Sequence, residues 1–274
     1  MPTQLEKALA FRALHQRPGA FVIPNPWDAG SALLLSTLGF EALATTSAGF
    51  AFSLGRRDSE GGVSRAEMLA NARAIVEATD LPVSADLENG FGQDPEECAE
   101  AIRAAAAAGL AGGSIEDASG DVYDFTLAVE RVAAAAEAAR ALPVPFVLTA
   151  RAENFQYERP DLDDTIRRLQ AFEQAGAEVL YAPGLTSLDQ IRTVCASVSR
   201  PVNVVMGLAG GTFSVQELAD AGVKRISLGS SLARAALGEL MRAAREIREN
   251  GTFSFASKAL PFGEVWHQMR PKTA

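Results

Sequence analysis

The chain has 274 residues and a formal charge of −9, from 25 Lys and Arg against 34 Asp and Glu. This excess of acid argues against nucleic-acid and anionic-membrane partners, because both require clustered basic side chains. Two His and two Cys are too few for a His-rich zinc cage, a disulfide framework or a Ser-His-Asp triad in the central motifs. Because no signal peptide core and no run of ~20 apolar residues is visible, we expect a cytoplasmic protein that neither enters nor spans a membrane.

Short β-rich runs alternate with longer helical patterns along the chain, which is typical of βαβ units. The predicted strands span residues 21–23, 42–46, 83–86, 113–116, 146–150, 179–182, 202–206 and 225–228. Eight such units favour a (β/α)8 TIM barrel over a doubly wound sheet, because no Gly-x-Gly-x-x-Gly follows the first strand. We therefore predict one α/β catalytic domain over residues 1–250.

An apolar extension, residues 251–274, follows the last predicted helix. Its large apolar side chains are Phe253, Phe255, Phe262, Val265, Trp266 and Met269. Such a segment is unfavourable in water unless something covers it. The sequence leaves two alternatives open, namely packing across its own barrel and docking on a second subunit.

Acidic side chains stand where strands three and four end, and the active site of a TIM barrel lies at the carboxyl ends of its strands. Strand alternation places Asp86 and Glu88 on one face, and Glu116 follows the adjacent strand. Three carboxylates without imidazole or thiolate suit a hard cation such as Mg²⁺ or Mn²⁺. The alternative is that these acids cap the next helix or form ion pairs with Arg151.

Arg151 is the one cation that ends a central strand. Its planar guanidinium suits an anionic substrate, usually a carboxylate or a phosphate, although it could instead be a structural partner of Glu116 or Glu153. Thr46 and Ser47 offer hydroxyls and backbone amides that could hold a carboxylate, and ordinary turn chemistry is the alternative. Asn203 on the seventh strand is a further predicted substrate ligand.

Three motifs at the ends of strands three, four and five carry a family resemblance. They are Asp86-x-Glu88-x-Gly90-Phe91-Gly92, Ser114-Ile115-Glu116-Asp117 and Thr149-Ala150-Arg151-Ala152-Glu153. With them, the chain from about residue 21 to residue 237 resembles the isocitrate lyase and phosphoenolpyruvate mutase superfamily.

The resemblance implies a TIM barrel that binds Mg²⁺, with Mn²⁺ as a substitute, through Asp86, Glu88 and Glu116, partly by way of water. It implies small 2-oxo or 2-hydroxy (di)carboxylic acids as substrates, and a reaction that passes through an enolate. The substrate carboxylate would then bind at Thr46-Ser47, and Asp58 would be the acid of a mobile loop. Family members also exchange a carboxy-terminal helix between subunits, which implies a homo-oligomer, a dimer or a tetramer.

The chain departs from this family after strand four. Lyases that cleave isocitrate or methylisocitrate carry a Lys-Lys-Cys-Gly-His type motif there, whereas residues 117–124 contain neither Cys nor His. Tyr123 or a water molecule would have to replace the catalytic thiol. Three hypotheses follow: a Mg²⁺-dependent carbon–carbon lyase that uses Arg151, Asp58 and Glu116, a phosphonopyruvate or phosphoenolpyruvate mutase or hydrolase, and a non-catalytic protein that binds 2-oxo acids.

Overall fold

The computed structural model describes residues 2–58, 61–208 and 211–269. Its strands are β1 Phe21–Ile23, β2 Leu43–Ala44, β3 Val83–Asp86, β4 Gly112–Glu116, β5 Ala118–Ser119, β6 Asp121–Val122, β7 Val147–Arg151, β8 Val179–Tyr181, β9 Val202–Val205 and β10 Arg225–Ser227. Its α-helices are α1 Gln4–Gln16, α2 Ala29–Ser36, α3 Ser47–Ser53, α4 Arg65–Ala78, α5 Pro95–Ala107, α6 Phe125–Arg140, α7 Leu162–Ala175, α8 Leu188–Ser197, α9 Val215–Asp220, α10 Ser231–Asn250 and α11 Phe262–Gln268. A short 3-10 helix, Ser254–Lys258, precedes α11.

The predicted TIM barrel is confirmed. Within the described residues, eight strands form one parallel sheet in the order β1-β10-β9-β8-β7-β4-β3-β2. The two ends of this sheet meet, because the Ala44 amide donates to the Pro24 carbonyl at 3.0 Å. All strands therefore end at one rim of the barrel, where the polar side chains predicted for the site gather.

Helix α1 closes the opposite end of the barrel. Phe11 packs in an apolar cluster with Phe21, Val147 and Val179, which stand at or near the amino-terminal ends of their strands. The close approach requires glycine at position 112, because a Cβ there would come within 2.9 Å of the Phe11 ring. One end of the barrel is thus filled with side chains, and the pocket described below opens at the other end.

A small antiparallel hairpin, β5–β6, was not predicted. It occupies the first residues after β4, where the lyase motif is missing, and turns at Gly120 with a φ of +67°. Two-residue strands carry too little pattern to be recognised in a sequence. The second barrel strand is also shorter than predicted, because the chain leaves the sheet after Ala44 and begins α3 at Ser47.

The carboxy-terminal segment leaves large apolar side chains in solvent. Phe262 and Trp266 of α11 are 80% and 69% exposed, and Leu240 of α10 is 62% exposed. The rings of Phe262 and Trp266 stack on each other, with centroids 6.0 Å apart. In the part of the chain that the structure describes, no helix combines the length and apolar character needed to cross a membrane.

Candidate active site

A pocket of about 1100 Å³, which we call the mouth pocket, opens at the carboxyl ends of the strands. The structure brings most of the predicted site residues to its wall, namely Thr46, Ser47, Asp58, Asp86, Glu88, Glu116 and Arg151. They come from β3, β4, β7 and the loop around α3, so that distant parts of the sequence meet at one rim. Asn203 is the predicted residue that does not line this pocket.

Arg151, the last residue of β7, joins the acidic groups of the site. Its Nη1 lies 3.0 Å from Asp86 Oδ1, its Nη2 lies 3.2 Å from Glu116 Oε2, and its Nε lies 2.6 Å from Glu153 Oε1. The register explains one of these contacts, because Arg151 is paired with Glu116 of the adjacent strand β4. The ion pairs that the sequence offered as an alternative to a metal site are therefore present.

Asp86 is held from two sides. Opposite Arg151, Ser47 donates to Asp86 Oδ2 from its hydroxyl at 3.0 Å and from its backbone amide at 3.3 Å. The Asp86 amide in turn donates to the Thr45 hydroxyl at 2.9 Å. These contacts fix the carboxylate of Asp86 at the pocket floor.

Asp58 reaches the same place from the loop after α3, and its carboxylate interacts with the Ser47 hydroxyl. Partial burial in the pocket wall raises the pKa of Asp58 above its ordinary value, and the negative charge of Asp86 adds to the effect. The residue as a whole is still open to solvent, which limits the size of this shift. The loop thus brings another acid to an already acidic site.

The loop between β3 and α5 has an unusual backbone. Glu88 and Phe91 have φ angles of +49° and +66°, a region that non-glycine residues seldom occupy. Between them, Gly90 has a φ of +80°, and a Cβ there would meet Cys98 Sγ at 2.9 Å. Such local strain persists only where the surroundings enforce it, and it is concentrated at functional sites.

Arg131 of α6 holds this loop in place through hydrogen bonds to its backbone. Its guanidinium donates to the carbonyls of Asn89, Gly92 and Gln93. It also lies over the Tyr123 ring, 4.5 Å from the centroid.

Tyr123 supports the same loop between β3 and α5. Its hydroxyl accepts a hydrogen bond from Asn89 Nδ2 at 3.0 Å, and the side chain does not line the mouth pocket. Tyr123 is thus part of the loop support and is not among the residues that line the pocket.

Asn203 lies deeper, at a cavity of about 60 Å³ beneath the pocket floor. Its Oδ1 accepts from Arg225 Nε at 2.8 Å, and its Nδ2 donates to the Ser227 hydroxyl at 3.0 Å. Arg225 also donates to the Thr149 hydroxyl at 2.9 Å. Asn203 lies inside the barrel because it is the second residue of β9. Val205, two residues later on the same strand, lines the mouth pocket.

Sequence reasoning gave too little weight to two residues of the site. Glu153 is 2% exposed and binds the Arg151 guanidinium, and the Arg-x-Glu spacing is the signal that identifies it. Tyr181 lines the pocket, with its ring 5.1 Å from the Arg151 guanidinium carbon. Its apolar body was counted toward the strand pattern, which concealed its hydroxyl.

The site carries a surplus of negative charge in a partly desolvated place. Burial raises the pKa of Glu116 well above its usual range, while Arg151 opposes this and neighbouring carboxylates reinforce it. Burial likewise raises the pKa of Glu153, again against the effect of Arg151. Among the described residues, no three His, Cys, Asp or Glu side chains form a ready metal cage. The acids instead suit a cation that keeps part of its water shell, as Mg²⁺ does.

Comparison with known proteins points to one group. A family model described as phosphoenolpyruvate phosphomutase matches residues 11–248. The 2-methylisocitrate lyase of Escherichia coli is 31% identical over 228 residues, which cover 78% of this chain and 75% of that enzyme.

Two solved structures share the fold closely. A Burkholderia cenocepacia protein, described provisionally as a lyase/mutase, has 58% identity and a TM-score of 0.94, with 96% of this chain and 95% of that chain covered. The structure of 2,3-dimethylmalate lyase has 27% identity and a TM-score of 0.85, with 98% and 95% covered.

Proposed function

Because this chain belongs to the phosphoenolpyruvate mutase/isocitrate lyase superfamily, whose members are lyases and mutases, we propose that it is a Mg²⁺-dependent carbon–carbon lyase. Its substrate would be a small 2-oxo or 2-hydroxy (di)carboxylic acid bound in the mouth pocket. Support comes from the convergence of Asp86, Glu88, Glu116 and Arg151 at one rim, and from relatives named 2-methylisocitrate lyase and 2,3-dimethylmalate lyase.

The residues present fit a divalent cation. Asp86, Glu88, Glu116 and Glu153 bring four carboxylates against the single guanidinium of Arg151, and two further positive charges would reduce this imbalance. Asp86, Glu88 and Glu116 would hold Mg²⁺, partly through water, and Mn²⁺ would substitute for it. When bound, Mg²⁺ acts as a Lewis acid that polarises the substrate oxygens.

The protein side chains would supply orientation and charge. When the C3–C4 bond of a 2-oxo acid breaks, the C4 fragment would leave as a carbonyl compound or as CO2. The electron pair of the bond would stay on C3 and be delocalised onto the C2 oxygen as an enolate, and C3 would then take up a proton from water. Arg151 would stabilise the negative charge on the enolate oxygen, because its position is fixed in advance by three carboxylates. Thr46 and Ser47 would bind the substrate carboxylate, and Asp58 would close over the site with its loop.

The single observation that carries this proposal is the placement of Arg151 between Asp86 and Glu116 on the pocket floor. The test is incubation of the purified protein with oxaloacetate and a panel of 2-oxo and 2-hydroxy acids, with Mg²⁺ or with a chelator, followed by ¹H NMR. We expect at least one substrate to be cleaved into two smaller compounds when Mg²⁺ is present, and we expect no cleavage when the chelator is present. If every substrate stays unchanged in the presence of Mg²⁺, the lyase proposal fails.

Phosphonopyruvate or phosphoenolpyruvate chemistry is the second candidate, because the matching family model is that of a phosphomutase. It would use the same cation and the same arginine. Incubation with phosphonopyruvate and with phosphoenolpyruvate, followed by ³¹P NMR, separates the two candidates. A new phosphorus resonance would favour the mutase or hydrolase over the lyase.

The exposed tail supports a homo-oligomer, a dimer or a tetramer, in which residues 251–269 pack on another subunit. Apolar side chains as exposed as Phe262 and Trp266 are costly in an isolated barrel. Light scattering of the purified protein should give twice or four times the chain mass of 28.9 kDa. A monomer at micromolar concentration would contradict this part of the proposal.

A further inference from the structure

The charge of the pocket lining limits what its substrate can carry. Seven carboxylates and two guanidinium groups line the described wall. The internal residues outside the described ranges, Ser59, Glu60, Ala209 and Gly210, bring no further cation by sequence. A pocket with this balance attracts positive groups, accepts neutral ones and repels anions, unless a specific cation is free to meet them.

Both guanidinium groups are already engaged. Arg151 is bound by three carboxylates at the pocket floor. Arg65, near the pocket mouth, lies 3.2 Å from Glu100 of α5, which lines the pocket as well. Arg56 of the neighbouring loop is bound to Glu67 at 2.9 Å and does not line the pocket. The bound cation and Arg151 would meet one carboxylate of a substrate, and the described wall holds no second uncommitted cation.

The outer part of the pocket offers uncharged groups instead. Val63, Phe91 and Leu208 bring apolar surface to its wall. Ser119 of the β5–β6 hairpin lines it too and carries no charge. The pocket volume of about 1100 Å³ also leaves room beyond a three-carbon acid.

We propose that the substrate of this site carries a single carboxylate, and that its far substituent is uncharged. This inference rests on the proposed function, because the bound cation and Arg151 must take the 2-oxo or 2-hydroxy acid end. It excludes tricarboxylates and phosphonates as good substrates, and it disfavours dicarboxylates.

The test compares two ligands of equal shape and different charge. Malate and its 4-amide differ only in the carboxylate or carboxamide at the far end. Calorimetry with the Mg²⁺-loaded protein should show that the amide binds roughly tenfold more tightly or better, because the like charges are removed. Equal or tighter binding of malate would overturn the inference.

Oxalate separates this inference from the proposed function, because it occupies only the end that meets the cation. If oxalate binds with Mg²⁺ and the amide does not, the far-substituent inference alone is wrong. If neither oxalate nor the malate pair binds, the proposed function fails and the inference fails with it.

Two variants test the cause of the selectivity. Glu100→Gln removes one lining charge and releases Arg65, so that the preference for the amide should shrink by roughly three- to tenfold. Glu96→Gln is the matched control, since Glu96 is an exposed acid on the same helix, bound to Arg103, and does not line the pocket. An unchanged preference in the Glu100→Gln protein would overturn the electrostatic explanation.

Discussion

Arg151 and Asp86, which are 65 residues apart in the chain, meet at 3.0 Å on the floor of the mouth pocket. The guanidinium presents one edge to Asp86 and Glu116 while Glu153 holds its Nε. A lysine could keep the positive charge but not three simultaneous contacts in one plane. The geometry of this arginine, beyond its charge, is therefore central to the proposed chemistry.

We accordingly expect Arg151→Lys to lower kcat/KM by about 100-fold, because one preorganised donor to a developing anion contributes that much. The affinity for Mg²⁺ should stay within a few-fold of wild type, because no carboxylate is lost. Steady-state kinetics and Mg²⁺ titration calorimetry measure the two quantities. Arg103→Lys, in an exposed ion pair with Glu96, is the control and should change neither. Full activity of Arg151→Lys would mean that the residue is structural.

Glu116→Gln tests the proposed metal ligands. The substitution keeps the size of the side chain and removes its charge, so that Mg²⁺ affinity should fall by roughly 10- to 100-fold. Glu96→Gln is the control for the loss of one acid at the surface, and calorimetry measures both. An unchanged Mg²⁺ affinity in Glu116→Gln would remove this residue from the metal site.

Tyr123→Phe tests whether this tyrosine replaces the missing thiol. Since its hydroxyl accepts from Asn89 and lies outside the pocket lining, we expect kcat to stay within about threefold of wild type. The lost hydrogen bond should cost about 1 kcal/mol and lower Tm by roughly 2 °C. A kcat reduced by orders of magnitude, with an unchanged Tm, would make Tyr123 the proton donor.

His15 should make the fold sensitive to acid. It is buried between Phe11 and Phe21, and burial, together with the charge of Arg225, lowers its pKa from 6.5 to about 3. The unfolded chain therefore binds a proton below pH 6.5 that the folded chain refuses, so that stability falls as pH decreases from about 6.5 toward 3.

Between pH 6.5 and 5, wild type should lose up to about 2 kcal/mol more of its free energy of unfolding than His15→Gln does. Urea denaturation across this range measures the difference. His267→Gln, on the exposed tail, should behave as wild type. Parallel pH curves for wild type and His15→Gln would contradict this account.

The sequence predicted which side chains lie at the carboxyl ends of the strands better than which side chains lie deeper inside the barrel. Asp86, Glu116 and Arg151 end strands, and since parallel strands end at one rim, their meeting could be inferred without coordinates. Asn203 follows the same polar pattern but stands two residues lower on β9, where it binds Arg225 inside the barrel. The height of a side chain within a barrel depends on strand register, which a single sequence does not contain.

Contacts between distant parts of the chain could not be predicted either. The hydrogen bonds of Arg131 to the loop after β3 join residues 38 to 42 positions apart, and nothing in the α6 pattern distinguishes this arginine from a surface one. The two alternatives for the apolar tail could not be separated either, because the apolar pattern of a segment does not say which surface covers it. The exposed rings of Phe262 and Trp266 favour a second subunit.

The most direct test of the account is anomalous X-ray diffraction from crystals of the protein soaked with Mn²⁺ and oxalate. We predict one anomalous peak in the mouth pocket, within direct or water-mediated reach of the carboxylates of Asp86, Glu88 and Glu116, with oxalate between the ion and Arg151. A pocket without a peak, or an ion bound elsewhere while oxalate contacts Arg151 alone, would contradict the proposed metal-dependent chemistry.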